Sequence, residues 1–225
     1  MTFDQVMQQL KKMGTAQNVK IYRRHGIGEN LFGVSFANLN ALKKKIKTDQ
    51  KLAEQLWQSA NADARHLATM IADPKSFSES LADAWVKDLN YYLGSDMLAG
   101  FLAKTSFVKK KAEEWIKSED EWVGRAGWGL VGYLAMRDGT VPDEYFEKLL
   151  ATVEKTIRQS KNFTKQAMNG AVIAIGLRNP KLEKLAIAAA TRIGKVEVDH
   201  GETSCKTPDA VAYIQKAKSR VKAGR

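Results

Sequence analysis

Cysteine is almost absent from this chain of 225 residues, which has only Cys205. A single thiol cannot form an internal disulfide, so the composition favours a reducing compartment. Long apolar runs are also missing, and no stretch approaches the roughly 20 residues that span a bilayer as a helix. The segment Met1–Gly14 places its lysines after its apolar residues and has no continuous apolar core, unlike a secretory signal. We therefore expect a soluble, cytoplasmic protein.

Proline is scarce, with four in the chain, and no useful stretch alternates apolar and polar residues as a strand would. Helical periodicity is present instead. The segments 85–103 and 115–136 each run from a Trp through a polar, acidic turn to a second aromatic residue and an apolar helical run. Segments 56–72 and 156–176 follow the same pattern. Recurrence of paired short helices indicates a helical solenoid, because neither helix can bury its apolar stripe alone.

The predicted organisation is a single all-α domain over residues 1–225. Residues 1–48 are predicted to form N-terminal helices and residues 49–193 the repeats. Residues 194–225 are predicted to form a loop, a last helix and a basic tail, because 195–210 has no helical period. With 44% hydrophobic residues, a chain of this length can bury a sizeable core without covalent cross-links.

Acidic residues are outnumbered, 25 against 36 Lys and Arg, which gives a net charge of +11. Such an excess favours polyanions through counterion release, nucleic acid first and anionic membrane second. Basic clusters occur at 23–25, 43–47, 109–111 and 216–225. Each could be a solvated helix face. In a solenoid, however, equivalent positions of successive repeats share one concave surface, where a row of cations would follow a duplex backbone.

A glycine motif at Gly127–Gly132 matches GxGxxG but lies inside a helical repeat rather than after a strand. It therefore lacks the context of a dinucleotide fingerprint, and we do not interpret it as one. Each glycine costs a helix about 1 kcal/mol relative to alanine. Their clustering predicts a close approach, by a neighbouring helix or, as the second alternative, by a phosphate backbone.

A second group, Asp199, His200, Glu202 and Cys205, resembles a metal-ligand set in composition. Its spacing fits no familiar zinc pattern, so we predict no metal site there. The preferred interpretation is a loop held by hydrogen bonds between its side chains and backbone. A nucleophile and base formed by Cys205 and His200 is the alternative, but no third orienting group can be identified.

The sharpest catalytic candidates are Tyr92, Asp96 and Arg125. Tyr92 and Asp96 are four residues apart and share a helix face, while Arg125 takes nearly the same place in the next repeat. A carboxylate between an aromatic ring and a cation stays ionised and can stabilise a positive charge developing on a sugar. The alternative is a salt bridge between Asp96 and Arg125 with Tyr92 as packing, and these residues alone favour that alternative.

At these positions the chain resembles the AlkD-like DNA alkylation repair proteins, a family built from HEAT-like helical repeats. The family pairs an aromatic residue with an aspartate four positions later, here YLGSD at 92–96, and has an arginine after an acidic turn and Trp, here SEDEWVGRA at 118–126. The resemblance is clearest from 50 to 176. It implies a concave, basic cleft that binds damaged duplex DNA and hydrolyses the N-glycosidic bond of cationic N3- or N7-alkylpurines, with no cofactor.

The resemblance also implies roles for the candidates. Asp96 would stabilise the oxocarbenium-like sugar and position a water, Tyr92 would pack on the deoxyribose, and Arg125 would pair with a phosphate or a carboxylate. Further DNA contacts are predicted at basic, aromatic and polar side chains, namely Lys43, Lys44, Lys109, Lys110, Trp122, Trp128, Lys165 and Asn169.

Three features depart from the family's pattern. Gly170 stands where a further cleft aromatic is expected, Tyr92 replaces the more usual Trp, and the N-terminal region is short for the extra helices that contact DNA. Two hypotheses follow. The chain is a DNA glycosylase of reduced or altered range that acts through Asp96, or a non-catalytic scaffold that binds nucleic acid or a protein partner. A DNA-bound form would be found with the nucleoid.

Overall fold

The computed structural model describes the backbone of residues 1–222 and the side chains to Ser219. The basic side chains predicted for the tail at Arg220, Lys222 and Arg225 lie outside the described residues. Two compact units divide the chain. The first comprises Met1–Phe107 with Gly201–Thr203, and the second comprises Val108–His200 with Ser204–Arg225.

The first unit contains seven helices. They are α1 (Phe3–Met13), α2 (Ala16–Arg24), α3 (Phe36–Ile46), α4 (Gln50–Gln58), α5 (Ala62–Ile71), α6 (Glu79–Lys87) and α7 (Tyr92–Leu102). Side-chain caps start most of them, since a hydroxyl, carboxylate or amide oxygen can accept from the unpaired N–H groups of the first turn. Thr2 and its partner Gln5 form a capping box on α1. Ser35 caps α3, and Gly14 is the C-cap of α1.

An aromatic stack joins α4 to α6 in the first unit. The rings of Trp57 and Trp85 lie parallel with their centroids 4.0 Å apart. The Trp57 indole N–H donates to the Asp88 carboxylate at 2.8 Å, so its polar atom is satisfied although the ring is buried. Arg65 also contacts this pair, with its guanidinium 5.1 Å from the centre of the Trp57 ring and 3.4 Å from the Asp88 carboxylate.

A buried carboxylate ties the loop before α3 to α5. Asp63 is fully buried, and its oxygens accept from the backbone N–H groups of Phe32, Gly33 and Val34 at 2.6, 3.0 and 2.9 Å. Burial raises the pKa of Asp63, and these three hydrogen bonds oppose that rise by stabilising the ionised form. The contact fixes the start of α3, whose last turn carries Lys43 and Lys44.

The second unit contains α8 (Val108–Trp115), α9 (Glu121–Arg137), α10 (Asp143–Thr156), a 3-10 turn (Ile157–Gln159), α11 (Asn162–Arg178), α12 (Pro180–Ile193) and α13 (Ala210–Lys222). Helix α9 packs against both α8 and α11, so more than one of its faces is buried. The close approach predicted for the glycine cluster is made by a neighbouring helix. A Cβ at Gly127 would lie 2.7 Å from the backbone of Trp115 and Ile116 at the end of α8.

Arg178 binds the C-terminal end of α9. Its guanidinium donates to the carbonyl oxygens of Ala135 and Val141 at 3.0 and 2.8 Å, and lies 4.8 Å from the Phe146 ring. The next residue, Asn179, caps α12 with its side-chain oxygen and donates to the Asp143 carboxylate at 3.0 Å. Arg178 thereby satisfies a carbonyl that α9 leaves unpaired at its C-terminus, and Asn179 satisfies an N–H group that α12 leaves unpaired at its N-terminus.

Across residues 1–222 the regular structure is helical, and the β-structure is an isolated bridge between Gly14 and Val34. The all-α prediction is confirmed. Within that described part, no helix combines the length and apolarity that a membrane crossing requires.

Candidate nucleic-acid interface

Two catalytic candidates, Tyr92 and Asp96, lie one turn apart on α7 of the first unit. Both side chains are partly exposed. The Tyr92 hydroxyl forms a short hydrogen bond with Nδ1 of His25, the residue that ends α2, and the two rings meet edge to face with centroids 5.9 Å apart. His25 therefore holds the Tyr92 ring in place on the helix that carries Asp96.

The neighbouring tyrosine, Tyr91, has a different environment. It is buried, and its hydroxyl lies 3.1 Å from Nε2 of His66 on α5. Burial raises the pKa of Tyr91 and lowers that of His66 to about 4, so both groups are neutral at pH 7. Tyr91 thus anchors the start of α7, which sets the orientation of Tyr92 and Asp96.

Arg125, on α9, is fixed within the second unit. It is only 7% exposed, and it donates to the Phe163 carbonyl at 3.0 Å and to the Gln166 side-chain oxygen at 2.8 Å. Its guanidinium also lies 5.9 Å from the Phe163 ring. The same segment is bound by Glu121, whose carboxylate accepts from the Phe163 N–H at 2.6 Å. The arginine is therefore held rigidly by the N-terminal half of α11.

Two of the predicted DNA contacts are packing residues. Trp128 is 2% exposed inside α9, where it fills the core of the second unit. Asn169 is 4% exposed and donates to the Pro208 carbonyl at 3.0 Å, which ties α11 to the segment before α13. The structure gives both side chains a structural role in place of the predicted surface role, because burial leaves them no area to offer a ligand. Trp122, by contrast, is partly exposed and stacks on Phe163 at 5.5 Å.

The predicted lysine contacts lie at the surface. Lys43 and Lys44 are exposed on α3, and Lys109 and Lys110 are carried by the first turn of α8. Lys109 is half exposed, with its ammonium 5.2 Å from the Tyr145 ring and 3.9 Å from the Glu113 carboxylate. Lys165 is partly exposed in the first turn of α11. Their long-range field favours an anionic ligand.

Gly170 lies on an exposed part of α11, and a Cβ placed there would meet nothing within 4 Å. The position has room for a large side chain, but this sequence does not supply the aromatic residue that the resemblance implies. An aromatic contact from this position to a sugar is therefore missing.

Hydrogen bonds from α11 hold the start of the loop at 199–205. The Asn162 side chain pairs with the backbone of Asp199, donating to its carbonyl at 2.7 Å and accepting from its N–H at 2.8 Å. His200 lies 3.0 Å from the Thr207 hydroxyl, and Cys205 is exposed. Through residue 219, no group of three or more His, Cys, Asp or Glu side chains could hold a metal ion.

Two residues that organise this region, His25 and Asp63, are not among the candidates predicted from the sequence. His25 stands in a basic cluster, and its partner Tyr92 is 67 residues away. Asp63 has a usable signal, because it is a carboxylate between Ala62 and Ala64 on an apolar helix. A charged residue in a buried stripe has to find partners, and here they are backbone N–H groups 29 to 31 residues earlier.

Comparisons with known proteins agree over nearly the whole chain. An uncharacterized protein of Listeria innocua is 30% identical over 226 residues, which cover 98% of this chain and 99% of that protein. An uncharacterized protein of Listeria monocytogenes is 29% identical over 231 residues, with the same coverage.

A solved structure is also similar, with a TM-score of 0.91, 34% identity, and coverage of 98% of this chain and 95% of that chain. That structure is described as representing a new family of proteins, related to the HEAT-like repeat DNA glycosylases, with affinity for branched DNA structures. The predicted HEAT-like repeat fold is thereby confirmed. The family model for DNA alkylation repair enzymes matches residues 6–214, and this chain belongs to that family.

Proposed function

We propose that this protein binds DNA, with branched structures and their duplex arms as its ligands. The observation that carries this proposal is the similarity, over nearly the full length of both chains, to a structure described as having affinity for branched DNA. The net charge of +11 supports it, because Lys and Arg side chains that neutralise phosphates release condensed counterions. The exposed lysines on α3 and α8 supply such cations in both units.

Binding to a four-way junction is expected to be tighter than binding to a linear duplex of the same length, and both affinities should fall as salt rises. Fluorescence anisotropy across a salt series measures this. Replacing Lys43 and Lys44 together with Gln is expected to lower the slope of log K against log salt by about 2 if each contacts a phosphate. Lys11→Gln with Lys12→Gln on α1 is the control of equal charge. If the wild-type protein binds neither DNA at low salt, the proposal fails.

A second candidate function is hydrolysis of the N-glycosidic bond of cationic alkylpurines. It is favoured by the placement of Asp96 one turn from Tyr92 on α7, with the Tyr92 ring fixed by His25. A cationic base is already a good leaving group, so an ionised carboxylate that stabilises the sugar cation would be the main requirement. Arg125, which is held by α11, would then pair with a phosphate or a carboxylate, as the resemblance implies. The open space at Gly170 predicts slower turnover than in a site with an aromatic there.

Duplex DNA treated with a methylating agent tests this function. If the protein is a glycosylase, it should release 3-methyladenine or 7-methylguanine, detectable by chromatography. Asp96→Asn should then reduce the rate at least about tenfold while leaving DNA affinity nearly unchanged, because electrostatic stabilisation acts on the transition state. Absence of any released base at high enzyme concentration would exclude the glycosylase and leave the binding proposal standing.

A further inference from the structure

A notch in the second unit is lined by cations and shares only Lys165 with the candidate residues described above. It lies where the 3-10 turn, the start of α11 and the end of α12 meet, and its volume is about 380 Å³. Ile157 and Ile193, both buried, form an apolar floor. We call it the cationic notch, and its charged lining residues are Arg158, Lys165, Lys195 and Glu197.

Local structure brings these cations together. Arg158 is exposed, and one of its nitrogens donates to the Ile193 carbonyl at 3.2 Å, which attaches the 3-10 turn to the end of α12. Gly194 has φ of +74°, a conformation that glycine adopts without strain, and it turns the chain so that Lys195 follows at the rim. Lys165 comes from the first turn of α11. Three separate elements therefore each present one cation.

An anion from the chain itself already lies among these cations. The Glu197 carboxylate is 3.0 Å from the Lys195 ammonium, in a pair whose side chains are 84% and 79% exposed. The hydrogen bond from Lys195 lowers the pKa of Glu197, and the charge of Lys165 lowers it further. A carboxylate thus already lies against Lys195 in the notch, and the exposure of this pair means that the carboxylate can be displaced at little cost.

We propose that the cationic notch binds one phosphate group of a DNA backbone, and that the Glu197 carboxylate competes with that phosphate for Lys165 and Lys195. The inference rests on the proposed DNA-binding function and adds a contact surface to it. A phosphodiester carries one negative charge, as the carboxylate does, and its oxygens accept from ammonium and guanidinium groups. The apolar floor would face the sugar. Because the notch is open at the surface, a polymer can pass across it.

The test uses the full-length protein and a four-way junction. Glu197→Gln is expected to raise the affinity roughly threefold or more at moderate salt, because it removes the competing charge. Lys165→Gln with Lys195→Gln is expected to lower the affinity and to reduce the slope of log K against log salt by about 1, the signature of one lost phosphate contact. These side chains are partly or fully exposed, so the variants should fold as the wild-type protein does.

Two control variants distinguish an effect of the notch on DNA affinity from an effect of the net charge of the protein. Glu144→Gln also removes one negative charge from an exposed position, and Lys148→Gln with Lys184→Gln removes two positive ones. If these variants change the affinity as much as the notch variants do, the inference is overturned while DNA binding stands. If wild-type protein binds no DNA, the proposed function itself fails. Inorganic phosphate without DNA is the remaining arm. If calorimetry shows that phosphate binds and that this binding is lost in the Lys165→Gln with Lys195→Gln variant while the junction affinity of that variant is unchanged, the notch is a site for free phosphate and the inference is overturned.

Discussion

Replacing Asp63 with alanine is expected to lower the free energy of unfolding of the first unit by about 3 to 5 kcal/mol. The carboxylate accepts from three backbone N–H groups, of which those of Gly33 and Val34 are buried. Alanine would leave these donors without an acceptor and without water. The segment at 32–34 should loosen from α5, where the hydrogen bond from the Ala62 N–H to the Asn30 carbonyl at 2.9 Å remains.

Denaturant unfolding followed by tryptophan fluorescence measures this effect, since Trp57 and Trp85 lie in the first unit and the other three tryptophans lie in the second. Asp4→Ala, at an exposed position in the first turn of α1, is the matched control and should cost about 0.5 kcal/mol. Hydrogen exchange should also show faster exchange at Phe32, Gly33 and Val34. An Asp63→Ala protein as stable as the control would mean that the loop is held by other contacts.

Replacing Gly127 with alanine is expected to destabilise the second unit by about 3 kcal/mol, despite the better helix propensity of alanine. The added Cβ would lie 2.7 Å from the backbone of Trp115 and Ile116, and backbone atoms cannot move aside as the end of a flexible side chain can. Helices α8 and α9 would have to separate. Thermal unfolding should detect a fall in melting temperature on the order of 10 °C.

The matched control for this change is Gly132→Ala, five residues along the same helix. A Cβ there would meet Ala174 at 3.8 Å, which is ordinary contact, so the gain in helix propensity should dominate and stabilise the protein by up to about 1 kcal/mol. Opposite signs for the two substitutions are the expected result. Equal effects would show that the glycines matter only through helix propensity and not through the approach of α8.

The parts of the fold that could be predicted from sequence are those set by neighbouring residues. A serine before an apolar helical period predicts an N-cap, and a glycine after one predicts a helix end. Ser35 caps α3 and Gly14 ends α1 accordingly, because the hydrogen bonds involved span three or four residues. The preference of proline for the first turn of a helix predicts Pro142 inside α10, but it is the residue before that helix, which starts at Asp143. Helix ends shift by a residue because several local arrangements satisfy the same N–H groups.

The same distinction holds for the candidate site, where features set within one helix could be predicted and contacts between distant segments could not. Helix geometry predicts that Tyr92 and Asp96 share a face, and both are on α7. The burial of Trp128 could not be foreseen in the same manner, because α9 is covered by both α8 and α11 and periodicity does not reveal a second buried face. The pairing of Tyr92 with His25 depends on contacts across 67 residues, which only the folded chain specifies.

The exposed thiol of Cys205 has a practical consequence. It lies on the loop between α12 and α13, and the chain has no other cysteine. A maleimide dye would therefore attach at one known position without any engineered substitution. Energy transfer from that dye to acceptors placed along each arm of a junction would give the direction in which the DNA lies on the protein.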